Sequence, residues 1–369
     1  MIYLDNGATS LHKPPRVAAA AAEAIKQCAN PGRGGHWYAM KAAETVFRTR
    51  EAAGRLFRCN PEQVVFTSNC THGLNIAIRS LVKPGDRVAV SGFEHNAVVR
   101  PLYALGAEVM VAGRKLFDWE DTLSAFEDAL KKRPKAAVFT HVSNVFGYIL
   151  PASELAKLCR DYGVPFILDA AQSAGCLDVD MGALGAEFIA MPGHKGLLGP
   201  QGTGLLLCRD GGDPLMQGGT GGDSKNREMP EELPERLEAG TVNVPGIAGL
   251  GEGLRYLEKT GVENVFRREH RQLLRAARGL EQLGFRVFRG KHQAGTVSFL
   301  TGGDCEEAAA FFARQGIALR AGLHCAPLAH ESGGTLESGT LRVSFGADAG
   351  HFQTRELLRA AAKLSRRKN

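Results

Sequence analysis

Between residues 64 and 208, short apolar runs alternate with stretches of helical period. No other feature limits the fold of this chain so strongly. The runs Val64–Thr67, Arg87–Ser91, Glu108–Val111, Ala136–Thr140, Phe166–Asp169, Phe188–Met191 and Thr203–Cys208 have the length and composition of strands. The gaps hold helices near 72–82, 96–104, 119–132 and 153–161. Strands joined through helices run parallel, and a parallel sheet needs cover on both faces. The expectation is an α/β chain built on a large, mainly parallel sheet. Helices at 15–28 and 39–57 precede it, joined by the glycine-rich loop 30–36.

The pattern changes after about residue 245. Helices at 246–258 and 262–283 lead to runs at Phe285–Phe288 and Thr296–Leu300. A helix at 304–314, runs at Ile317–Arg320 and Leu341–Phe345, and a last helix at 354–366 follow. This reads as a smaller α+β domain. We assign residues 15–250 to the large domain and residues 1–14 with 251–369 to the small one; 369 residues suit two domains. The segment Gly211–Gly246 reads as a long loop rich in Gly, Pro and Glu, of the kind that serves a site or packs on a partner.

Composition removes several function classes. The net charge of +6 is mild, and 44% hydrophobic with 23% charged residues is ordinary for a globular chain. The basic helix around Arg267–Arg278 and the tail Arg366–Lys368 carry no interleaved aromatics, so they read as solvated faces and not as a nucleic-acid groove. No segment reaches membrane-spanning length, and the first residues lack a signal-peptide pattern. Eight cysteines stand singly without a C-x-x-C pair, which fits reduced thiols in a cytoplasm. There is no P-loop, H-E-x-x-H or G-x-S-x-G motif.

Open parallel sheets bind ligands beyond the carboxyl ends of their strands, and the polar residues here cluster at those ends. Lys195 sits in the glycine-rich turn Met191–Gly204 between two apolar runs, with His194 beside it. It is either a snorkelling surface residue or a tuned amine fit for Schiff-base chemistry. The turn Ser68–Gly73 opens a helix and offers an anion site, or plain capping by Thr71. His95 follows the strand ending at Ser91, and a lone histidine there is usually a satisfied polar residue. Asp169 ends an apolar run and needs a cationic or N–H partner. A protonated pyridine nitrogen would supply one; helix capping is the alternative. Cys325 lies in a Gly/Pro-rich loop beside His324 and Arg320. It reads as a reachable nucleophilic thiolate, as an inert thiol, or as part of a metal site with His324 and His330. No second ligand pair with zinc spacing accompanies the last, so no metal is expected.

Taken together these residues resemble the pyridoxal-phosphate-dependent class V aminotransferase family, in its cysteine desulfurase and selenocysteine lyase branch. The likeness covers Tyr3–Thr9, Thr67–Asn75, Glu94-His95, Val142–Val145, Leu168–Ser173, Gly193–Lys195, Glu238–Asn243, Arg320–Pro327 and Leu341–Val343. It implies the aspartate-aminotransferase type of fold (fold type I) with pyridoxal phosphate as cofactor. It also implies roles. Lys195 is the Schiff-base lysine and proton shuttle, Asp169 the partner of the pyridine nitrogen, His95 the residue stacked on the ring, and Gln172 the donor to its phenolic oxygen. Cys70, Thr71 and His194 fall in the phosphate cup, and Thr241 reaches the phosphate of a neighbouring subunit in a homodimer. Arg342 and Asn144, with Arg320 close by, hold the substrate carboxylate, and Cys325 is the acceptor thiol. The implied reaction removes sulfur from L-cysteine, giving L-alanine and a persulfide on Cys325 that passes to a reductant or an acceptor protein. L-selenocysteine cleavage, transamination or β-elimination on another amino acid, and a non-enzymatic scaffold are the rivals. Pro192 stands where relatives carry a hydroxyl residue, and Cys70 replaces another.

Overall fold

The computed structural model describes residues 1–32, 34–222 and 225–366. Residues 367 and 368 of the basic tail lie outside the described residues. Seven strands form the large sheet, in the spatial order Val64–Thr67, Gly204–Cys208, Phe188–Pro192, Phe166–Asp169, Ala136–Thr140, Arg87–Ser91 and Glu108–Ala112. Only Gly204–Cys208 runs against the rest, pairing antiparallel with both neighbours. The parallel register sets Thr140 beside Asp169 and Asp169 beside Ala190, so the polar strand ends meet along one edge. The expected helices cover this sheet, among them Cys70–Leu81, Asn96–Ala104, Trp119–Leu130 and Ala152–Asp161.

Much of the chain after residue 261 builds a second core. The helix Val244–Thr260 starts where Asn243 accepts from Gly246 N at 3.0 Å, two residues before the expected 246. Its residues Ile247, Leu250, Leu254 and Leu257 pack into the core of the large sheet. Gly261, at φ 80°, separates it from the helix Val262–Gln282, whose Leu273, Ala276, Ala277 and Leu280 pack into the second core. That core also takes Leu4, Val297, Phe299, Leu341, Val343 and Leu357. A four-stranded antiparallel sheet lies over it, ordered Arg320–Gly322, Thr340–Ser344, Thr296–Leu300 and Arg286–Phe288.

Two expectations are corrected. The single run Ile317–Arg320 is two strands. Ile317–Ala318 pairs in parallel with Ile2–Tyr3, and the chain then changes sheets so that Arg320–Gly322 pairs with Thr340–Ser344. The segment Gly211–Gly246 is not all loop: it contains a short 3₁₀ turn at Glu235–Leu237 and enters helix at Val244. It is also anchored. Arg50 donates to both oxygens of Glu238 at 2.9 Å, and Glu238 accepts from Phe66 N at 2.6 Å, a paired and hydrogen-bonded charge at the side of the sheet. A seven-residue helix at Pro327–Gly333 was not foreseen.

Candidate active site

Lys195 follows the strand Phe188–Pro192 directly, in a turn that only glycines could form. A Cβ on Gly193 would collide with Thr203, and one on Gly196 with the carbonyl of Ala174. Neighbouring backbone therefore closes around the lysine. Lys195 lines two cavities that open to solvent, of about 480 and 610 Å³ with their open mouths included. Burial lowers the pKa of its amine; Cys70 and Asp169 oppose that shift, and Arg342 and Arg320 add to it.

The smaller cavity collects most of the expected group: Cys70, Thr71, His95, Asn144, Asp169, Gln172, His194 and Lys195 line it. Asp169 is 2% exposed. Its Oδ1 accepts from Ala171 N at 2.8 Å and from the Cys70 thiol at 3.5 Å, and burial raises its pKa against these bonds and Lys195. His95 caps the helix Asn96–Ala104, its Nδ1 accepting from Ala97 N at 3.0 Å, which assigns the ring proton to Nε2. Burial, then Lys195, Arg320, Arg342 and Arg100, push its pKa down to about 4, so the ring is neutral near pH 7. His194 is held the same way at about 4, its Nδ1 3.1 Å from Thr9 Oγ1. Gln172 spends one N–H on Gly7 O at 2.9 Å. The first-turn amides of Cys70 and Thr71 have no hydrogen-bond partner among the described residues, whereas Asn69 caps that of His72 at 2.9 Å. The side chain of Cys70 faces Asp169, and burial raises its pKa well above the ordinary value. Its contribution to an anion cup is its backbone N–H.

The remaining expected residues stand outside this cavity. Arg342 is 1% exposed; it donates from Nη2 to Asp5 Oδ1 at 2.6 Å and from Nη1 to Asn144 O at 3.0 Å. Arg320 lies opposite it in register and is exposed. Thr241 is exposed, in the turn before the helix Val244–Thr260. Cys325 is the one exposed thiol among eight free cysteines, in a turn where His324 and Cys325 both have positive φ, 49° and 58°. Two hydrogen bonds tie this turn to the cavity: Asn144 Nδ2 donates to His324 O at 2.7 Å, and Asn96 N to Cys325 O at 2.8 Å. His324, although next to Cys325, supplies no positive charge to it. Its ring is buried against Thr340, 3.2 Å from both O and Oγ1, and burial pushes its pKa down to about 2. His330 is also buried, on Thr335 Oγ1 at 2.7 Å.

Comparison with known proteins agrees with this arrangement. The family described as Aminotransferase class-V matches residues 2–353. The chain belongs to that family. A probable cysteine desulfurase of Pyrococcus abyssi is 32% identical over 94% of this chain and 89% of its own length. A probable cysteine desulfurase of Methanothermobacter thermautotrophicus is 32% identical over 91% and 89%. The apo structure of a cysteine desulfurase from Thermococcus onnurineus superposes with a TM-score of 0.90 at 32% identity, covering 99% of this chain and 94% of that one. A cysteine desulfurase of Escherichia coli in an S-sulfonic acid form gives 0.85 at 26% identity, over 98% and 94%. The sheet with its single reversed strand is the fold type I arrangement expected of this class-V chain.

The sequence reading gave no role to three acids, the part-buried Asp5 and the buried Glu94 and Glu269. Asp5 pairs with Arg342. Glu94, one residue before His95, accepts from Ser91 Oγ and from Thr140 N at 2.8 Å, and burial raises its pKa to about 8. Glu269 faces the larger cavity, with no hydrogen-bond partner among the described residues, and is likewise raised to about 8 by burial. Asp5 and Glu94 each stand at the end of an apolar run, the same signal that singled out Asp169. Glu269 lies within a helix rich in arginine and gave none.

Proposed function

We propose that this class-V aminotransferase homologue is a cysteine desulfurase that uses pyridoxal phosphate to move sulfur from L-cysteine to Cys325. One observation carries the reading. The tuned amine of Lys195, the buried carboxyl of Asp169 and the neutral ring of His95 line one cavity, and the exposed Cys325 is hydrogen-bonded to its rim. The relatives' names support it.

The residues suit the cofactor. Asp169 Oδ2 has no hydrogen-bond partner among the described residues, and a buried carboxylate left so is costly unless it meets a charged N–H, such as that of a protonated pyridine. The free amides of Cys70 and Thr71, with His194, suit a phosphate, and His95 presents a neutral ring for stacking. Gln172 retains a second N–H for the phenolic oxygen. Pyridoxal phosphate, when bound, supplies an electron sink for charge developing at the substrate Cα.

This chain's residues do the rest. Lys195 Nζ, whose pKa burial lowers, takes the α-proton and returns a proton to carbon. The Cys325 sulfur attacks the substrate sulfur. The new S–S bond forms as the Cβ–S bond breaks, its electron pair stays with carbon, and a proton completes alanine. Arg342, Asn144 and Arg320 take the carboxylate in this reading. Thr241, exposed beside its helix, serves the phosphate site of a second copy in a homodimer. An acceptor protein receives the persulfide sulfur, in a reducing cytoplasm suited to eight free thiols.

The test is incubation with L-cysteine, followed by mass spectrometry of the Cys325 peptide and assay of alanine. One added sulfur on that peptide with alanine released is expected; alanine formation without an adduct at Cys325 rejects its role. Cys325→Ala assayed on L-selenocysteine as well separates the selenium rival, which needs no nucleophilic thiol.

A further inference from the structure

We propose that Asp5 is a positioning residue that fixes Arg342 and sets the charge of the carboxylate pocket, so that the site favours amino acids with one carboxylate. The proposal rests on the reading of Arg342 as the group that takes the substrate's α-carboxylate. A guanidinium as deeply buried as that of Arg342 is costly without a counter-charge. Asp5 supplies one from the opening residues of the chain, by the contact of its Oδ1 with Nη2.

Asp5 is itself held in place. Its backbone bridges Ser344, two residues along the strand from Arg342. Gly7 N donates to Ser344 Oγ at 2.7 Å, Asn6 Nδ2 to Ser344 O at 3.1 Å, and Tyr3 Oη to Asp5 O at 3.0 Å. The backbone that carries the carboxyl is therefore fixed. The carboxyl touches the guanidinium through a single oxygen. Arg342 Nε is buried and has no partner, so the fork keeps N–H capacity that Asp5 does not use.

Arg320 supplies the other charge. It faces Arg342 in register, forms no ion pair among the described residues, and its like charge lowers the pKa of Arg342. Its field also reaches Lys195 and His95. Two guanidiniums and one carboxylate leave one net positive charge, which matches a single carboxylate. Without Asp5 the pocket carries two and suits a dianion.

The experiment is calorimetric titration of the cofactor-loaded protein with L-alanine and with L-aspartate. In Asp5→Asn the affinity for aspartate relative to alanine is expected to rise about tenfold, the scale of one unit charge in a partly screened site. Added salt should erode that gain. Asp5→Glu should keep the native ratio. A ratio in Asp5→Asn within twofold of native overturns the proposal. If Asp5→Asn does not fold, Arg320→Gln at its exposed position removes one positive charge and should lower the ratio; an unchanged ratio there overturns it equally. Arg342→Lys isolates the underlying reading. Undiminished alanine affinity in that variant rejects the carboxylate role of Arg342, and the Asp5 proposal with it. Lost alanine affinity there, with an unmoved ratio in Asp5→Asn, rejects the Asp5 proposal alone.

Discussion

The strand-end cluster and the Cys325 turn are linked through Asn144 and Asn96 and are built on opposite principles. Lys195, Asp169, Cys70 and His95 sit where parallel strands stop, and burial shifts the pKa of every one of them. Cys325 sits in solvent, on a turn with unusual backbone angles, held by its carbonyl and that of His324. The first region tunes its groups through desolvation, which requires a rigid, dry setting. The second places an accessible atom and leaves its side chain free, as a group that must hand its cargo onward requires. On the proposed function, the contrast separates proton handling from sulfur delivery.

The contrast can be broken by removing one region at a time. Lys195→Ala should lower alanine formation about 10²–10⁴-fold, the range of a lost acid–base group, while alkylation of Cys325 by iodoacetamide proceeds at the native rate. Slowed alkylation would mean that the two regions are coupled. Cys325→Ala should lower cysteine turnover about 10²-fold, the scale of losing a positioned reactant, with cofactor binding unchanged. Asp169→Asn should weaken retention of pyridoxal phosphate about 10–100-fold in equilibrium dialysis, the worth of one hydrogen bond to a charged group, and leave the thiol's reactivity alone. Pro192→Thr, which places a hydroxyl on the wall of the smaller cavity, should tighten that retention about fivefold.

The smallest effect concerns pH and belongs to the buried groups alone. His95, His141, His194 and His330 are held at about 4 by burial, below the ordinary 6.5. As pH falls from about 6.5 to 4 the unfolded chain takes up protons that the folded chain refuses, so stability falls. Glu94 and Glu269, raised from 4.5 to about 8, act in the opposite sense. Their folded forms keep a proton that the unfolded chain loses, so their contribution declines as pH rises from 4.5 to 8. Glu269→Gln should therefore raise the melting temperature at pH 8 relative to that at pH 5 by about 2–4 °C over the native difference. Cys325→Ala should leave that difference unchanged.

The sequence made the first region legible and the second only in part. Strand ends announce themselves: an apolar run closing on Asp169 or entering Gly193-His-Lys195 marks both a place in the fold and a chemistry. The seven strands of the large sheet were found within a residue of their observed ends for the same reason. Cys325 was found through its motif, but not the direction of His324, which is decided by Thr340 on a strand sixteen residues away. The Asp5–Arg342 contact spans 337 residues, and no local period encodes it. The break at Leu319, where one run serves two sheets, is invisible because no glycine or proline interrupts Ile317-Ala-Leu-Arg320.

Two successive non-glycine residues in the left-handed region have a thermodynamic consequence. L-residues resist that conformation by about 1–2 kcal/mol each, so the turn at His324 and Cys325 is a loaded spring. Glycine at 324 would relax the backbone, yet would also remove the imidazole that clasps Thr340. Thermal hardiness and accurate aim of the sulfur therefore oppose one another at that position.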